Sequence, residues 1–333
     1  MRVLISAGWL GGAGGAERAL YSMVRALEVE EVQVVVREHL DGPWSRVPSA
    51  TRVATSESVM WYGAGHQAGV KGRVLQLVAN PIRRMLTRRY DVYIQTMAGA
   101  NLASAVRAPV RLVIPSGNVV PAAMRAHFTA IAMQAPDNTR FVPPGMKSTL
   151  LPPPVFDLAP RAEAPSQDIP DEFLLTVFNP YDPIKGLSDL ARAADEAPLP
   201  IVWCHSEATV RFEIPEELLL HDRIVHVTDA SPEQLRYLYE RCAAYFSLSL
   251  SEGFGWSTAD ALRYSQAVVT RAVGVFSNPA AQQPGVTLVS SPQEICWDSV
   301  LASAAPPGTR DLSLLEPSRF RARLHDIAHD ADW

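Results

Sequence analysis

Apolar strand-like runs alternate with helical ones along this chain, and the alternation occurs twice over. In the first half RVLIS is followed by AERALYSMVRAL and then VQVVV; in the second, FLLTV is followed by GLSDLARAA and then PIVWC. Each short run is apolar throughout, as a strand covered on both faces must be. Each is joined to the next by a stretch long enough to cross over and return parallel. The pattern predicts an α/β chain with parallel sheets and crossover helices. At 333 residues there is room for two domains of ordinary size, each with a core of its own.

The pattern stops and restarts around one segment. From LPPPVFDLAP to EAPSQDIP, roughly residues 151 to 170, proline and polar residues predominate, a composition that suits an exposed linker. The reading divides the chain into a first domain over residues 1–160, a second over 161–316 and a closing helix over 317–333. In that helix RFRARLHDIAHD carries apolar positions at helical spacing.

Composition narrows the function. No apolar run approaches the length that crosses a bilayer, and MRVLISAGWL continues into a glycine-rich loop instead of a cleavage site, so it reads as a first buried strand. Cys204, Cys242 and Cys296 are odd in number, far apart and without metal-ligand spacing. They predict neither a disulfide framework nor a zinc site, and they fit a reducing, cytoplasmic location. A net charge of -5 argues against general nucleic-acid binding. One patch runs against that balance: KGRVLQLVANPIRRMLTRR, Lys71 to Arg89, holds six basic residues and no acidic one. It reads either as a solvated helical face or as a surface, built on Arg83, Arg84, Arg88 and Arg89, for an anionic acceptor or an anionic membrane leaflet.

Three loops carry the chemistry, each between a strand and a helix. GWLGGAGGAERAL places glycines Gly14 and Gly15 where backbone N–H groups meet an anion at the positive end of a helix. It matches neither the dinucleotide fingerprint, whose third glycine is replaced by Glu17, nor the P-loop; a glycine-rich turn without chemical purpose is the competing reading. In FNPYDPIKGLSDL, Lys185 sits at a helix start, where a cation is unfavourable unless a negative group comes between; an exposed turn lysine is the alternative. In SLSEGFGWSTADAL, Glu252 lies at the carboxyl end of a strand, where open α/β sheets bind ligands, and no capping role explains it. Ser257 is the expected N-cap of the next helix. Asp260 either completes a capping box with it or holds a vicinal diol, while the amides of Phe254, Gly255 and Trp256 donate to phosphate or hydroxyl oxygens. His205 and His226, near strand ends, read as structural.

These pieces together resemble the retaining glycosyltransferases of family 4, with the GT-B fold of two facing Rossmann-like domains. Glu252 to Asp260 is similar to the family's E-x7-E motif with aspartate in the second position, and GGAERAL and FLLTVFNPYDPIKG look like its two phosphate loops. The resemblance implies Glu252 and Lys185 as the catalytic pair, with Glu252 on the donor sugar, Asp260 on the ribose, and Lys185 with Gly14 and Gly15 on the diphosphate. Asn179, Ser251, Gly253, Phe254, Gly255 and Trp256 would complete the donor site, and backbone near Thr228 and Asp229 would read the base. It further implies a nucleoside-diphosphate sugar as substrate, no cofactor and no metal, and a closing helix that packs back on the first domain. Asp330-x-Asp332, the one D-x-D, is read as incidental.

Three departures stand out. Asn179-Pro180 replaces the family's Gly-Arg, Ser116 and Asn118 stand where a first-domain histidine is usual, and Asp260 is one methylene short. They keep open a protein that binds a nucleotide sugar or glycan without turning it over, and, as a third reading, a nucleotide-sugar epimerase. The acceptor is undefined among glycan, lipid-linked, protein and secondary-metabolite classes.

Overall fold

The computed structural model describes residues 1–12, 14–55, 88–96, 102–115, 119–120, 125–180, 183–206 and 214–330. Arg83, Arg84, most of the basic segment, Ser116, Asn118 and Asp332 lie outside the described residues. The chain divides into two compact units, one made of 1–134, 138–154 and 315–333, the other of 135–137 and 155–314.

In the first unit β1 (Arg2–Leu10) is followed by α1 (Gly15–Ala26), β2 (Glu31–His39), β3 (Arg52–Thr55), β4 (Val92–Thr96), β5 (Val110–Ile114), β6 (Ala130–Met133) and β7 (Ser148–Leu150). They form one sheet in the order β3-β2-β1-β4-β5-β6-β7, parallel throughout. The predicted strands RVLIS and VQVVV are here, the first prolonged through Gly8, Trp9 and Leu10. Val3, Leu4, Ile5, Val34 and Val35 are fully buried, or nearly so, which is why these segments read as unbroken apolar runs.

The second unit holds β8 (Leu174–Val177), α2 (Leu187–Glu196), β9 (Ile201–His205), α3 (Glu216–Leu219), β10 (Ile224–Thr228), α4 (Pro232–Arg241), β11 (Ala244–Ser247), α5 (Trp256–Tyr264), β12 (Val268–Thr270), β13 (Val286–Leu288) and α6 (Trp297–Ala302). Its sheet, again parallel, has the order β10-β9-β8-β11-β12-β13. Leu174, Ile201, Trp203, Ala244 and Phe246 pack on one face with Leu190 and Ala194 of α2. The last helix, α7 (Pro317–His329), belongs to the first unit: it buries Phe320, Leu324 and Ile327, and Arg323 donates to Thr149 Oγ1 at 2.8 Å.

The expected exposed linker needs correction. Leu151, Val155, Leu158 and Ala159 are buried, and apart from Asp157 exposed residues begin at Pro160. Apolar residues spaced between the prolines supply the burial, and the backbone finds partners. Arg263 donates to the Val155 carbonyl at 2.9 Å, Arg236 to that of Ala159 at 2.6 Å, and the Leu158 N–H donates to the Tyr264 hydroxyl at 3.0 Å.

Candidate functional site

In an open parallel sheet, a crevice forms at the carboxyl edge where chain order reverses between neighbouring strands. In the second sheet the chain leaves β8 toward β9 on one side, and it returns as β11 on the other. The crevice therefore lies over β8 and β11, and their exit loops carry Lys185 and Glu252. The two side chains meet there: Lys185 Nζ donates to Glu252 Oε2 at 2.7 Å, both largely buried. The negative group that a lysine at a helix start requires is thus supplied by the chain itself.

Glycines let these loops approach. Gly186 caps α2 with φ +82°, and a Cβ on it would stand 2.7 Å from the Leu248 carbonyl oxygen, so no other residue fits. Beside it the Leu250 N–H donates to the Ile184 carbonyl at 2.7 Å, stitching the β8 exit loop to the β11 exit loop. Arg271, just past β12, is buried and donates to the Leu248 carbonyl, to the Ser290 carbonyl at 3.0 Å and to Asp189 Oδ2 of α2 at 3.0 Å. The next turn closes on the glutamate's own loop, where the Val275 N–H donates to the Phe254 carbonyl at 2.7 Å.

The start of α5 differs from expectation. Gly255, with φ +85°, is the N-cap, and Ser257 lies inside the helix; the left-handed glycine turns the chain into the helix two residues early. The Ser257 hydroxyl instead accepts from Tyr245 at 3.1 Å, and Thr258 donates to the Gly255 carbonyl at 2.7 Å. Asp260 is 2% exposed and so is enclosed by the unit. Burial first, and then the charges of the Glu252 and Asp260 carboxylates, push the Tyr245 phenol up. Phe254 is buried and meets half-buried Trp256 edge to face at 4.9 Å; Ser251 and Gly253 are half-buried between.

The exits of β8, β9 and β10 carry a polar chain. Asn179 Oδ1 accepts the Ser206 N–H at 2.8 Å, and the Ser206 hydroxyl donates to Asp229 Oδ1 at 2.6 Å. Asp229, which follows Thr228, is the one non-glycine with positive φ (51°) among the described residues, and its N–H donates to the His205 carbonyl at 2.9 Å. His226 Nε2 lies 3.1 Å from the Leu218 carbonyl, and its Nδ1 lies 3.3 Å from His205 Nε2. Burial, with the neighbouring His226, holds His205 below the ordinary imidazole range.

In the first unit the glycine turn is closely packed. Gly12 donates to the Asp41 carbonyl at 3.3 Å, and a Cβ on Gly42 would meet the Gly12 nitrogen at 2.7 Å, so the β2 exit loop lies directly on the glycine turn. Gly14 caps α1 and Gly15 opens it, and the Glu17 carboxylate lies beside Gly14, where a Cβ would meet it. Burial raises its pKa, against the bond it accepts from its own N–H. Arg88 pairs with Glu31 on the surface, and Arg89 bridges to Arg107 through the backbone.

Sequence reasoning missed Gly274, Arg271 and Ser206. A glycine four residues past β12 was a visible signal; a buried guanidinium and a serine after an apolar strand give none. Among the described residues no helix is long and apolar enough to cross a membrane, and no group of three or more His, Cys, Asp or Glu residues has the geometry to hold a metal ion.

No family model matches the chain, and no curated protein matches it in sequence. Solved structures do. Sucrose-phosphate synthase from Thermosynechococcus elongatus superposes with a TM-score of 0.64 at 14% identity over 98% of this chain and 97% of that one. HepE of Anabaena in complex with UDP-glucose gives 0.64 at 15% identity, over 98% of each chain. The lipopolysaccharide outer core galactosyltransferase WaaB gives 0.61 at 12% identity, over 98% of this chain and 99% of that one. At such identities the likeness is one of fold, and the chain has the GT-B fold of these glycosyltransferases.

Proposed function

We propose that the protein is a retaining glycosyltransferase that takes a sugar from a nucleoside-diphosphate donor. The observation that carries the reading is the meeting of Lys185 and Glu252 over the switch point of the second sheet. A diphosphate seated there has an ammonium beside it and the amino end of α5 below it, and the carboxylate stands where positive charge develops as the sugar departs. The polar chain at Asn179, Ser206 and Asp229, with Thr228, supports binding of the nucleoside along the same edge, and Asp260 is assigned to the ribose. The fold neighbours support the reading in kind, since HepE was solved with UDP-glucose and also with UDP. Lys185 serves in place of a metal in this reading. The acceptor falls to the first unit.

Titration calorimetry with nucleoside diphosphates and their sugars tests this. Selective binding of one nucleotide, lost in Lys185→Ala, together with sugar transfer lost in Glu252→Ala, is the expected result. A second reading, a protein that binds the donor without transfer, is favoured by Asn179-Pro180 in place of the family's Gly-Arg, since Pro180 brings no cation and Asn179 is already engaged with Ser206. Donor binding without hydrolysis or transfer to any acceptor would select it.

A further inference from the structure

We infer that Lys185 and Glu252 form a releasable pair, in which a diphosphate arriving at Lys185 displaces the carboxylate and thereby turns Glu252 over to the sugar. The inference rests on the reading of the second unit as the donor site. The ammonium and carboxylate hold each other at 2.7 Å with 22% and 11% of their side chains exposed. At that distance, largely shielded from water, each cancels most of the other's charge, so an incoming anion meets a nearly neutral pair.

The backbone on both sides is tied down, so the exchange falls to side chains. The Leu250 N–H holds the Ile184 carbonyl, and Gly186 lies against Leu248. Lysine has four side-chain torsions and three donor hydrogens, enough to swing to a phosphate oxygen without moving its loop. Glu252 cannot follow it far, because its Cβ is already packed at the Gly274 turn. After the exchange the carboxylate remains in place without this counter-charge, beside the carbon where positive charge grows in the transition state. Loading of the diphosphate thus sets the electrostatics that the transfer step uses.

A double-mutant cycle tests this. UDP, GDP, ADP and inorganic pyrophosphate are titrated into wild type, Glu252→Gln, Lys185→Met and the double variant, each checked against the wild-type thermal melt. Glu252→Ser and Lys185→Gln replace any variant that fails to fold. The expected result is that Glu252→Gln binds the accepted diphosphate roughly tenfold more tightly than wild type, the size of one charge-assisted hydrogen bond. That gain disappears once Lys185 is replaced, and binding undetectable with either residue at 252 counts as its disappearance. Equal or weaker binding by Glu252→Gln overturns the releasable pair, as does an equal gain with and without Lys185, which is plain repulsion. Failure of every probe to bind both wild type and Glu252→Gln overturns the donor-site reading itself.

Discussion

A side chain on Gly274 would stand 2.9 Å from the Cβ of Glu252, so the turn after β12 leaves only a glycine's width beside the site carboxylate. Gly274 also has φ +56°, where an alanine is strained. Gly274→Ala is expected to cost about 1–3 kcal/mol of stability. By pushing Glu252 off position it should also lower the turnover rate of transfer roughly a hundredfold. Thermal melts and steady-state kinetics with the accepted donor read the two effects separately.

Arg271 is the brace of the same loops. With the guanidinium buried against Asp189 and two carbonyls, Asp189→Asn leaves a charge without its counter-ion, and a loss of about 3 kcal/mol is expected. Arg271→Met removes the charge but leaves the Leu248 and Ser290 carbonyls unsatisfied. Urea midpoints of the two single variants and the double variant would show coupling between the positions if the brace acts as described.

Acid should loosen the first unit at one identifiable place. Glu30 accepts from the Met1 amine at 2.6 Å and from His325 of α7 at 2.7 Å. Burial by itself raises the Glu30 carboxyl, but those two donors outweigh it and hold the group below its ordinary value of 4.5. A carboxyl depressed by folding stabilises fully above the unfolded value, and the contribution is lost as pH falls through the folded one. Urea midpoints followed from about pH 6 down to about pH 3 should drop more steeply for wild type than for Glu30→Gln. Parallel curves would remove Glu30 from the account.

The last helix is expected to contribute through its core face. Leu324 is fully buried, and Leu324→Ala should cost about 2–4 kcal/mol, whereas at exposed Arg319 substitution stays within about 0.5 kcal/mol. Removal of residues 317–333 should destabilise the whole protein; a truncated form with a wild-type melt and full activity would contradict that.

Chelation gives a further check. If Lys185 neutralises the leaving diphosphate, prior treatment with EDTA leaves the transfer rate unchanged, and Asp330→Ala does as well. A rate restored only by an added divalent cation would assign that role elsewhere.

Much of this was legible in the sequence because it follows from periodicity and from loops at strand ends. Unbroken apolar runs such as RVLIS and PIVWC announce strands covered on both faces, and the restart at FLLTV announces a second sheet. Lys185 and Glu252 were each visible in a strand-to-helix loop. Their ion pair was not, since 67 positions separate them and only strand order brings β8 beside β11. Ser257 misled because a serine before a helix is a good cap, yet a left-handed glycine two residues earlier turns the chain first. The segment after Leu151 misled for a different reason: its prolines signal an extended path, and extended backbone is buried as readily as exposed when arginines reach its carbonyls.

The first unit's make-up bears on the order of synthesis. Its strands come early, but the helix that covers α1 follows every strand of the second unit along the chain, so it is made after them. The second unit can therefore complete its sheet while the first still waits with the surface for Phe320, Leu324 and Ile327 uncovered. Between those two events the first unit shows an apolar surface that a chaperone can grip.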